Sequence, residues 1–590
     1  MSGNGAGNPY LQGNYAPTST TLLAESCQFE GIIPEEFLGG QYIRNGSNPL
    51  DVDSDRELHW FDGDGMLTGV YFKRTVEPPG VQPVFSNQYV LTDIHCATVH
   101  NKSLSPIIPS MTTMVNPKPA RFHMLLQLLK TYAIAIASNL RLIACPIKRV
   151  GASNTNILYH DGRVLATNEI GPPMRISLPS LKTVGWFTGA KAEGEADTGD
   201  ISEPFFGGKG IEGFYKEMTT AHPRVDPYTQ ELILFHSTFL PPFVHYSIVP
   251  AGCPLTASPR LNKPVPGLAA GKLMHDFGVS RRYTVLLDCP VSLDPSNFTY
   301  SRSAVEYDRT GRTRLGIFPR HCPEKIEWQD TDACIVMHTA STWDEDVPDG
   351  VRVHILLCRM NSLAPLYHMG GLEAPEHACA RKPECRLYYY QLGPQITQQW
   401  ALSTIPFEFP HVPRHLEMHA AQFIYGCSMR KGDFVDTNLT SVKIDCLVKV
   451  DVQRLIATGM SCPPSQIHGV VDQRTLDEII ATDHSEDSIK VFPLPVGWYA
   501  QECSFVPRHN GKTEDDGWLV TYVFDESQLD EYGQAGPDSR SELWVIDAVG
   551  MKDVVARVFL PQRVPYGMHG NWFSEEQIAS QKPYERFRSL

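Results

Sequence analysis

The sequence predicts one large all-β unit of the propeller type, and three observations support this fold class. Short runs with strand-like alternation recur along the chain, turn signals separate them, and helical periodicity is scarce outside residues 122–147. The 45 glycines and 46 prolines are spread over the whole chain, which suits many turns. Many short strands with regular turns are typical of sandwiches, barrels and propellers, and 590 residues in one unit favour the propeller. We find no domain boundary and expect residues 1–590 to form a single domain.

The predicted strands are runs rich in β-branched and aromatic residues, bounded by turn-forming strings such as HDGR, DRTGR and HNGK. In chain order they are NILYHDGRVLATNE (156–169), ELILFHSTF (231–239), RYTVLLD (282–288), VRVHILLCRM (351–360), GWLVTYVFDE (517–526), SELWVIDA (541–548) and ARVFLP (556–561). No strict repeat such as a WD signature is present, so we expect the blades to be divergent. The polar, glycine-rich stretch at 181–215 predicts a long surface loop.

The exception to the strand pattern is the apolar segment FHMLLQLLKTYAIAIASNLRLIACPI at 122–147. It is interrupted by Gln127, Lys130 and Arg141, and no stretch of the chain reaches the roughly 20 apolar residues that a spanning helix needs. Two interpretations stay open. The segment forms a buried helix, or it forms an amphipathic helix that dips into one leaflet with its basic side chains at the headgroups.

Composition excludes some partners and suggests a compartment. The net charge is −15, from 66 acidic and 51 basic residues, which argues against nucleic acid because phosphate binding needs a basic face. The 14 cysteines are scattered and never spaced as CxxC, and the N-terminus lacks the basic and apolar regions of a signal peptide. We therefore expect a cytoplasmic protein with reduced thiols.

Four of the 21 histidines share an unusual position, each in a turn-like string beside a predicted strand. They are His222 in MTTAHPRVDP, His275 in MHDFGVS, His338 in IVMHTASTWDED and His569 in VPYGMHGNWF. Gaps of 53, 63 and 231 residues do not suit a local zinc site, whose ligands cluster within a few residues. They do suit a site on a propeller axis, where each ligand comes from another blade. For any one histidine alone, a hydrogen-bonded core or loop role is the alternative.

These and further strings resemble the carotenoid cleavage oxygenase family, nearly from end to end of the chain. They are NPYLQGNYAP (8–17), GGQYIRNGSNP (39–49), HWFDGDGML (59–67), TAHPRVDP (220–227), MHDFGVS (274–280), FEFP (407–410), EDDGWLVTYVFDE (514–526), SELWVIDA (541–548) and PQRVPYGMHGNW (561–572). The resemblance implies a seven-bladed β-propeller with a helical and loop cap over an iron-bearing face. It also implies one Fe(II) on the propeller axis, with His222, His275, His338 and His569 as its ligands.

The resemblance further implies three glutamates that accept the outer N–H of ligand histidines, at Glu169, Glu408 and Glu502. Such carboxylates offset the charge of the metal and fix the imidazole tautomers. One departure is the string HTASTWDE after the third histidine, where many relatives have an Asn-Ala pair. The implied reaction cleaves a conjugated C=C bond with O2 to give two carbonyl products. It needs no further cofactor, and the sequence carries neither a nucleotide-binding glycine motif nor a GxSxG elbow.

The resemblance narrows the substrate to a carotenoid or apocarotenoid, because the segment at 122–147 lies where carotenoid-cleaving relatives carry a membrane-dipping insertion. We therefore expect a peripheral contact with a membrane surface. Tyr89 matches a tyrosine of stilbene-cleaving relatives, but neither Lys102 nor Lys118 aligns with their lysine, so stilbene cleavage is an alternative. Retinyl ester isomerohydrolysis, or apocarotenoid binding without activity, are others. Candidate substrate contacts are Tyr89, Phe61 and Trp343, and Phe205, Phe206, Phe243 and Trp572 are further aromatic candidates.

Overall fold

Short antiparallel strands dominate the structure, as the alternating runs of the sequence predict. The structure is a computed structural model that describes residues 8–50, 58–77, 79–116, 142–196, 206–207, 216–252, 260–300, 302–348, 350–436, 441–482, 484 and 486–590, with separate residues between 126 and 140.

From the N-terminus the first strands are β1 Glu25–Ser26, β2 Gln28–Gly31, β3 Gln41–Arg44, β4 Ser47–Asn48, β5 Asp64–Thr75, β6 Gly80–Tyr89, β7 Asn156–His160, β8 Arg163–Thr167, β9 Met174–Ser177, β10 Lys182–Trp186, β11 Arg224–Val225, β12 Leu232–Ser237, β13 Val244–Val249, β14 Arg260–Pro264, β15 Gly278–Val279, β16 Tyr283–Asp288, β17 Val291–Leu293 and β18 Val305–Tyr307. The remaining strands are β19 Arg312–Pro319, β20 Glu327–Asp332, β21 Ile335–Val347, β22 Gly350–Met360, β23 Cys385–Leu392, β24 Ile396–Ser403, β25 Glu408–His411, β26 Phe423–Ser428, β27 Cys446–Asp451, β28 Val470–Asp472, β29 Ile489–Pro493, β30 Trp498–Ala500, β31 Ser504–Pro507, β32 Gly517–Asp525, β33 Glu542–Asp547, β34 Val554–Phe559 and β35 Gly570–Phe573.

These strands form the seven blades of a β-propeller, with one added hairpin of β17 and β18. Four blades keep a simple order, β10-β9-β8-β7, β11-β12-β13-β14, β15-β16-β19-β20 and β25-β26-β27-β29. A fifth has the order β21-β22-β23-β24 and gains β28 parallel to β24. All seven sequence-predicted strand runs lie in these blades, and the propeller prediction is confirmed.

Both chain ends take part in closing the ring. The C-terminal β35 pairs with β3, in the blade β1-β6-β5-β3-β35. The N-terminal β2 pairs with β34, in the blade β2-β34-β33-β32-β30. The ring is therefore held by backbone hydrogen bonds between residues more than 500 positions apart, which leaves no open edge at the junction.

Turn chemistry explains the sharp hairpins between strands. In HDGR, Asp161 and Gly162 have φ angles of 49° and 72°. Two successive positive φ angles are what a type I′ turn needs, and Asp-Gly is a favoured pair for it. Asp161 also pairs with Arg163 at 2.9 Å, which ties the turn to the strand that follows it.

Short helices lie in the connections between the strands and after the last strand. They are α1 Asp93–His100, α2 Met111–Val115, α3 Ala364–His368, α4 Val452–Ser461, α5 Leu476–Thr482 and α6 Glu575–Ala579. The loop at 58–62 joins two of them, because His59 Nε2 lies 2.8 Å from the Leu366 carbonyl in α3 and the Asp62 carboxylate accepts the N–H of Met111 in α2.

The apolar segment at 122–147 is described only in part, and its described residues within 126–138 are largely helical. Ile134 is buried against Ala97 of α1 and Ile107. Other apolar side chains form what we call the apolar face, each more than half exposed: Leu126, Leu129, Ile136, Leu140 and Leu142. Among the described residues, no helix has the length and apolarity to cross a membrane.

The surface-loop prediction for 181–215 is wrong at its start. Residues Lys182–Trp186 form β10, the outer strand of its blade, and Trp186 is fully buried. The alternation of apolar residues in TVGW is too short to predict a strand when polar, glycine-rich residues follow it. Residues 197–205 and 208–215 of this stretch lie outside the described residues.

Candidate metal centre

The innermost strands of the propeller bring the four candidate histidines together. His222 lies just before β11, His275 just before β15 and His569 just before β35, while His338 lies within β21. Each of these is an end strand of its sheet, and the end strands of neighbouring blades pack against one another around the axis. Four blades thus each supply one imidazole.

One ring nitrogen from each histidine lies within 4.8 Å of one from every other. The Nε2 atoms of His222 and His275 are 2.9 Å apart. The ring centroid of His222 is 4.5–5.1 Å from those of the other three, and the planes meet nearly edge to face. The four rings therefore surround one point rather than stack.

The other three blades supply the three candidate glutamates. His275 Nδ1 lies 2.5 Å from Glu169, His338 Nδ1 lies 2.5 Å from Glu408, and His569 Nδ1 lies 3.2 Å from Glu502. Since an Nδ1–H that donates to a carboxylate leaves Nε2 as the unprotonated nitrogen, these contacts select one tautomer in three of the rings.

The buried polar atoms fit a metal ion at this point. Among the described residues, His338 Nε2 is buried and has no hydrogen-bond partner. A buried unpaired nitrogen is costly unless something else satisfies it. Three Nε2 atoms with fixed tautomers and a fourth imidazole within range make an all-nitrogen donor set, which suits iron, copper, nickel or zinc.

Electrostatics also favour a cation here. Burial lowers the pKa of His222 well below its ordinary value, and its three imidazole neighbours lower it further. Burial alone would raise the pKa of Glu502, but His569 and the Gly570 N–H outweigh it and hold that pKa below its usual value. The centre therefore combines a neutral imidazole at His222 with an ionised carboxylate behind His569.

A buried carboxylate that we did not single out connects three of the histidine-bearing segments. Asp276, next to His275, accepts hydrogen bonds from Arg224 at 2.7 and 2.8 Å and from the N–H of Thr339 at 2.7 Å. Arg224 is two residues beyond His222, and Thr339 follows His338. We call Asp276, Arg224 and Thr339 the Asp276 clamp. The sequence signal was present, because each member lies within two residues after a candidate ligand.

Two cavities reach the centre. One is lined largely by apolar and aromatic side chains and includes His275, His338 and His569. The other is lined mainly by polar side chains, among them Arg224, Asp276, Arg414 and Glu417, and reaches His222. We call the first the apolar cavity, because its wall suits a hydrocarbon ligand.

Phe409 brings an aromatic ring to the metal side of the apolar cavity. Its ring centroid is 5.4 Å from that of His338 and 5.8 Å from that of His569. Its φ angle is 53°, a left-handed conformation that is uncommon for a bulky residue. The N–H of Phe409 donates to Glu408 at 2.6 Å, so the carboxylate oxygen that accepts from His338 also holds this backbone.

The three candidate substrate contacts have different positions. Phe61 lines the apolar cavity. Tyr89 does not line it: its ring stacks on His95 at 4.8 Å, and its hydroxyl accepts a hydrogen bond from Asn48. Trp343 is in the core, stacked on His354 with centroids 5.0 Å apart and planes 4° from parallel.

Two of the further aromatic candidates, Phe206 and Trp572, pack against residues of the blades. Phe206 packs against Phe187, with ring centroids 6.0 Å apart, and Trp572 packs against Phe37 at 4.8 Å. Phe243 is partly buried and is not among the cavity-lining residues, and Phe205 lies outside the described residues.

Comparison of the sequence with protein families gives a match over residues 15–574, to the family described as Retinal pigment epithelial membrane protein. The chain is 44% identical to Carotenoid dioxygenase carX of Gibberella fujikuroi, over 99% of this chain and 92% of that protein. It is 27% identical to a Carotenoid 9,10(9',10')-cleavage dioxygenase of Crocus sativus, over 97% and 90% of the two chains.

Solved structures share the fold at low sequence identity. A lignostilbene dioxygenase of Pseudomonas brassicacearum superposes with a TM-score of 0.66 and 17% identity, over 96% of this chain and 98% of that one. A variant of the Synechocystis apocarotenoid oxygenase superposes with a TM-score of 0.63 and 18% identity, over 95% and 98%. These similarities support the seven-bladed propeller.

Proposed function

The chain belongs to the carotenoid cleavage oxygenase family, and from this premise we propose that it is an Fe(II)-dependent dioxygenase that cleaves a conjugated C=C bond of a carotenoid or apocarotenoid. The observation that carries the proposal is the convergence of four imidazoles on one point at the wall of an apolar cavity. Both atoms of O2 enter the products, one into each new carbonyl group. The reaction balances without an external electron donor.

We assign His222, His275, His338 and His569 as the iron ligands, and Glu169, Glu408 and Glu502 as the residues that orient three of them. Iron bound there would supply the site at which O2 is activated next to the alkene. The protein residues hold the imidazoles as neutral donors, since each glutamate accepts the proton of Nδ1. Phe61 and Phe409 contribute apolar surface that excludes water and orients the polyene.

The apolar face at 126–142 supports a second element of the proposal, a peripheral contact with a lipid surface. Its side chains are exposed to water at a cost of about 25 cal/mol per Å² of apolar surface, which burial in a lipid headgroup layer would recover. Carotenoids dissolve in membranes, so an enzyme that takes them up needs such a contact.

Stilbene cleavage remains a second candidate because a lignostilbene dioxygenase shares the fold. It is less favoured, since Tyr89, the residue that would hold a phenolic hydroxyl, lies against His95 and not in the apolar cavity. Retinyl ester isomerohydrolysis would use the same histidines and glutamates and differs in its product, one alcohol in place of two carbonyl compounds.

The test is incubation of the purified protein with Fe(II) in air with β-carotene, torulene, a long apocarotenal and resveratrol, with products separated by chromatography and identified by mass. Two carbonyl products from a polyene support the proposal and locate the cleaved bond. Cleavage of resveratrol alone would assign the enzyme to the stilbene class. A retinyl ester incubated in the same way separates the remaining alternative, because a single alcohol in place of two carbonyl products would assign the enzyme to the isomerohydrolases.

A further inference from the structure

The apolar cavity contains one charged side chain, among its described lining residues, that is not part of the histidine and glutamate centre. This is Lys443, which lies beside two other lining residues, Tyr15 and Tyr566. Its ammonium nitrogen is 5.5 Å from the ring centroid of Tyr15 and 5.1 Å from that of Tyr566. A charge in an apolar cavity is costly unless it is paired or hydrogen-bonded, because it loses hydration there.

The surroundings of Lys443 satisfy the charge but leave donors free for a ligand. Lys443 forms an ion pair with Glu526, which also accepts a hydrogen bond from the Tyr566 hydroxyl at 3.1 Å. The Tyr15 hydroxyl is used as well, since it donates to the Val442 carbonyl. An ammonium group has three N–H donors, and Glu526 is the hydrogen-bond acceptor found for it among the described residues. The Lys443 side chain is 29% exposed, so its other donors can reach a bound molecule.

The position of this group relates it to the reacting bond. Tyr566 is three residues before His569, so their Cα atoms are at most about 11 Å apart. Lys443 lines the same cavity as His275, His338 and His569, so it can contact one end of a substrate whose reacting bond lies at the histidine centre. The rings of Tyr15 and Trp60, 5.5 Å apart, give that part of the wall an aromatic surface on which a conjugated end group can pack.

We propose that Lys443 forms a subsite for a neutral oxygen, an aldehyde or hydroxyl, on the end of the substrate, so that the enzyme prefers oxygenated apocarotenoids to hydrocarbon carotenes. This inference rests on the proposed function and names the substrate class within it. The ammonium donates a charge-assisted hydrogen bond to the oxygen. A hydrocarbon end desolvates the same donors without replacing their hydrogen bonds. Glu526 disfavours a carboxylate end group, because the two negative charges would repel each other.

The first experiment measures binding without turnover, so that it does not depend on cleavage. Fe(II)-loaded protein in detergent, kept free of O2 so that no substrate is cleaved, is titrated with an apocarotenal, its carboxylic acid and β-carotene, and quenching of tryptophan fluorescence gives each Kd. We expect Lys443→Met to reduce the preference for the aldehyde over the hydrocarbon about tenfold. Lys443→Arg keeps a donor and should retain part of the preference. Lys431→Met, at an exposed lysine, is the matched control and should retain all of it.

A second variant tests the proposal even where Lys443→Met folds poorly. Glu526→Gln removes the repelling charge and should strengthen binding of the carboxylic acid relative to the aldehyde. Equal aldehyde preference in wild type and Lys443→Met, or no aldehyde preference in wild type, would overturn the subsite. If the apocarotenal binds with the expected preference and no substrate is cleaved with Fe(II) and O2, the subsite stands and the proposed reaction fails.

Discussion

Replacement of Asp276 by asparagine should weaken metal binding although Asp276 is not a proposed ligand. The carboxylate is 2% exposed and receives five hydrogen-bond contacts, from Arg224, from the Phe277 N–H and from the N–H and hydroxyl of Thr339. Asparagine keeps one accepting oxygen and turns an NH2 group towards the other donors. Loss of two hydrogen bonds to a charged group, with Arg224 deprived of its carboxylate partner, costs about 3–5 kcal/mol.

Loss of these hydrogen bonds should disturb the geometry of the centre, because the clamp joins the segments that carry His222, His275 and His338. We expect Asp276→Asn to lower Tm by several degrees and to reduce Fe(II) affinity about ten- to a hundredfold, the range seen for residues behind metal ligands. Anaerobic Fe(II) titration and metal content after dialysis measure the affinity, and a thermal scan measures Tm.

The matched control is Asp433→Asn, because Asp433 is a buried carboxylate paired with Arg386 and, among the described contacts, forms no hydrogen bond with a histidine or glutamate of the centre. It should lower Tm without changing Fe(II) affinity. If Asp276→Asn binds Fe(II) as tightly as wild type, or if both variants lose Fe(II) affinity equally, the clamp does not position the ligands and the reasoning is refuted.

Three further predictions concern other parts of the molecule. Glu408→Gln should reduce Fe(II) affinity about ten- to a hundredfold with little change in the propeller fold, measured by metal titration and circular dichroism. The neutral amide oxygen accepts the Nδ1–H of His338 more weakly than the carboxylate does and no longer offsets the charge of the metal; wild-type affinity would contradict this role. Burial raises the pKa of Glu195, but Arg163 and Arg175 outweigh it and hold that pKa below its ordinary value, so the carboxylate stabilises the fold above about pH 4.3 and less as pH falls through its folded-state pKa. Glu195→Gln should therefore lower Tm strongly at pH 7 and progressively less below pH 4, and a pH-independent difference in Tm would count against it. Serine at the five positions of the apolar face should weaken sedimentation with lipid vesicles and leave cleavage of detergent-dispersed substrate unchanged, and unchanged sedimentation would exclude the face as the lipid contact.

The strands could be predicted from the sequence because their signal is local. Alternation of apolar and polar residues and the chemistry of turns such as Asp161-Gly162 operate over a few residues, and all seven predicted runs form strands. The same local reading failed at β10, whose short run is followed by a polar, glycine-rich stretch. The candidate histidines and glutamates were identified from short motifs that resemble those of the family. Such motifs identify residues but give no distances between them.

Only the tertiary structure decided which of these residues meet. Closure of the ring by β35 on β3 and by β2 on β34 places four end strands around one axis, and this brings His569 beside residues more than 200 positions away. The same packing directs Trp343 into the core against His354 and Phe61 into the apolar cavity, although the sequence offered both as candidate substrate contacts. The sequence by itself determined the strands, the turns and the candidate donor atoms, because these depend on neighbours along the chain. The assembled blades decided the shape of the centre, the Asp276 clamp and the place of Lys443, because contacts between blades depend on side chains that local sequence does not bring together.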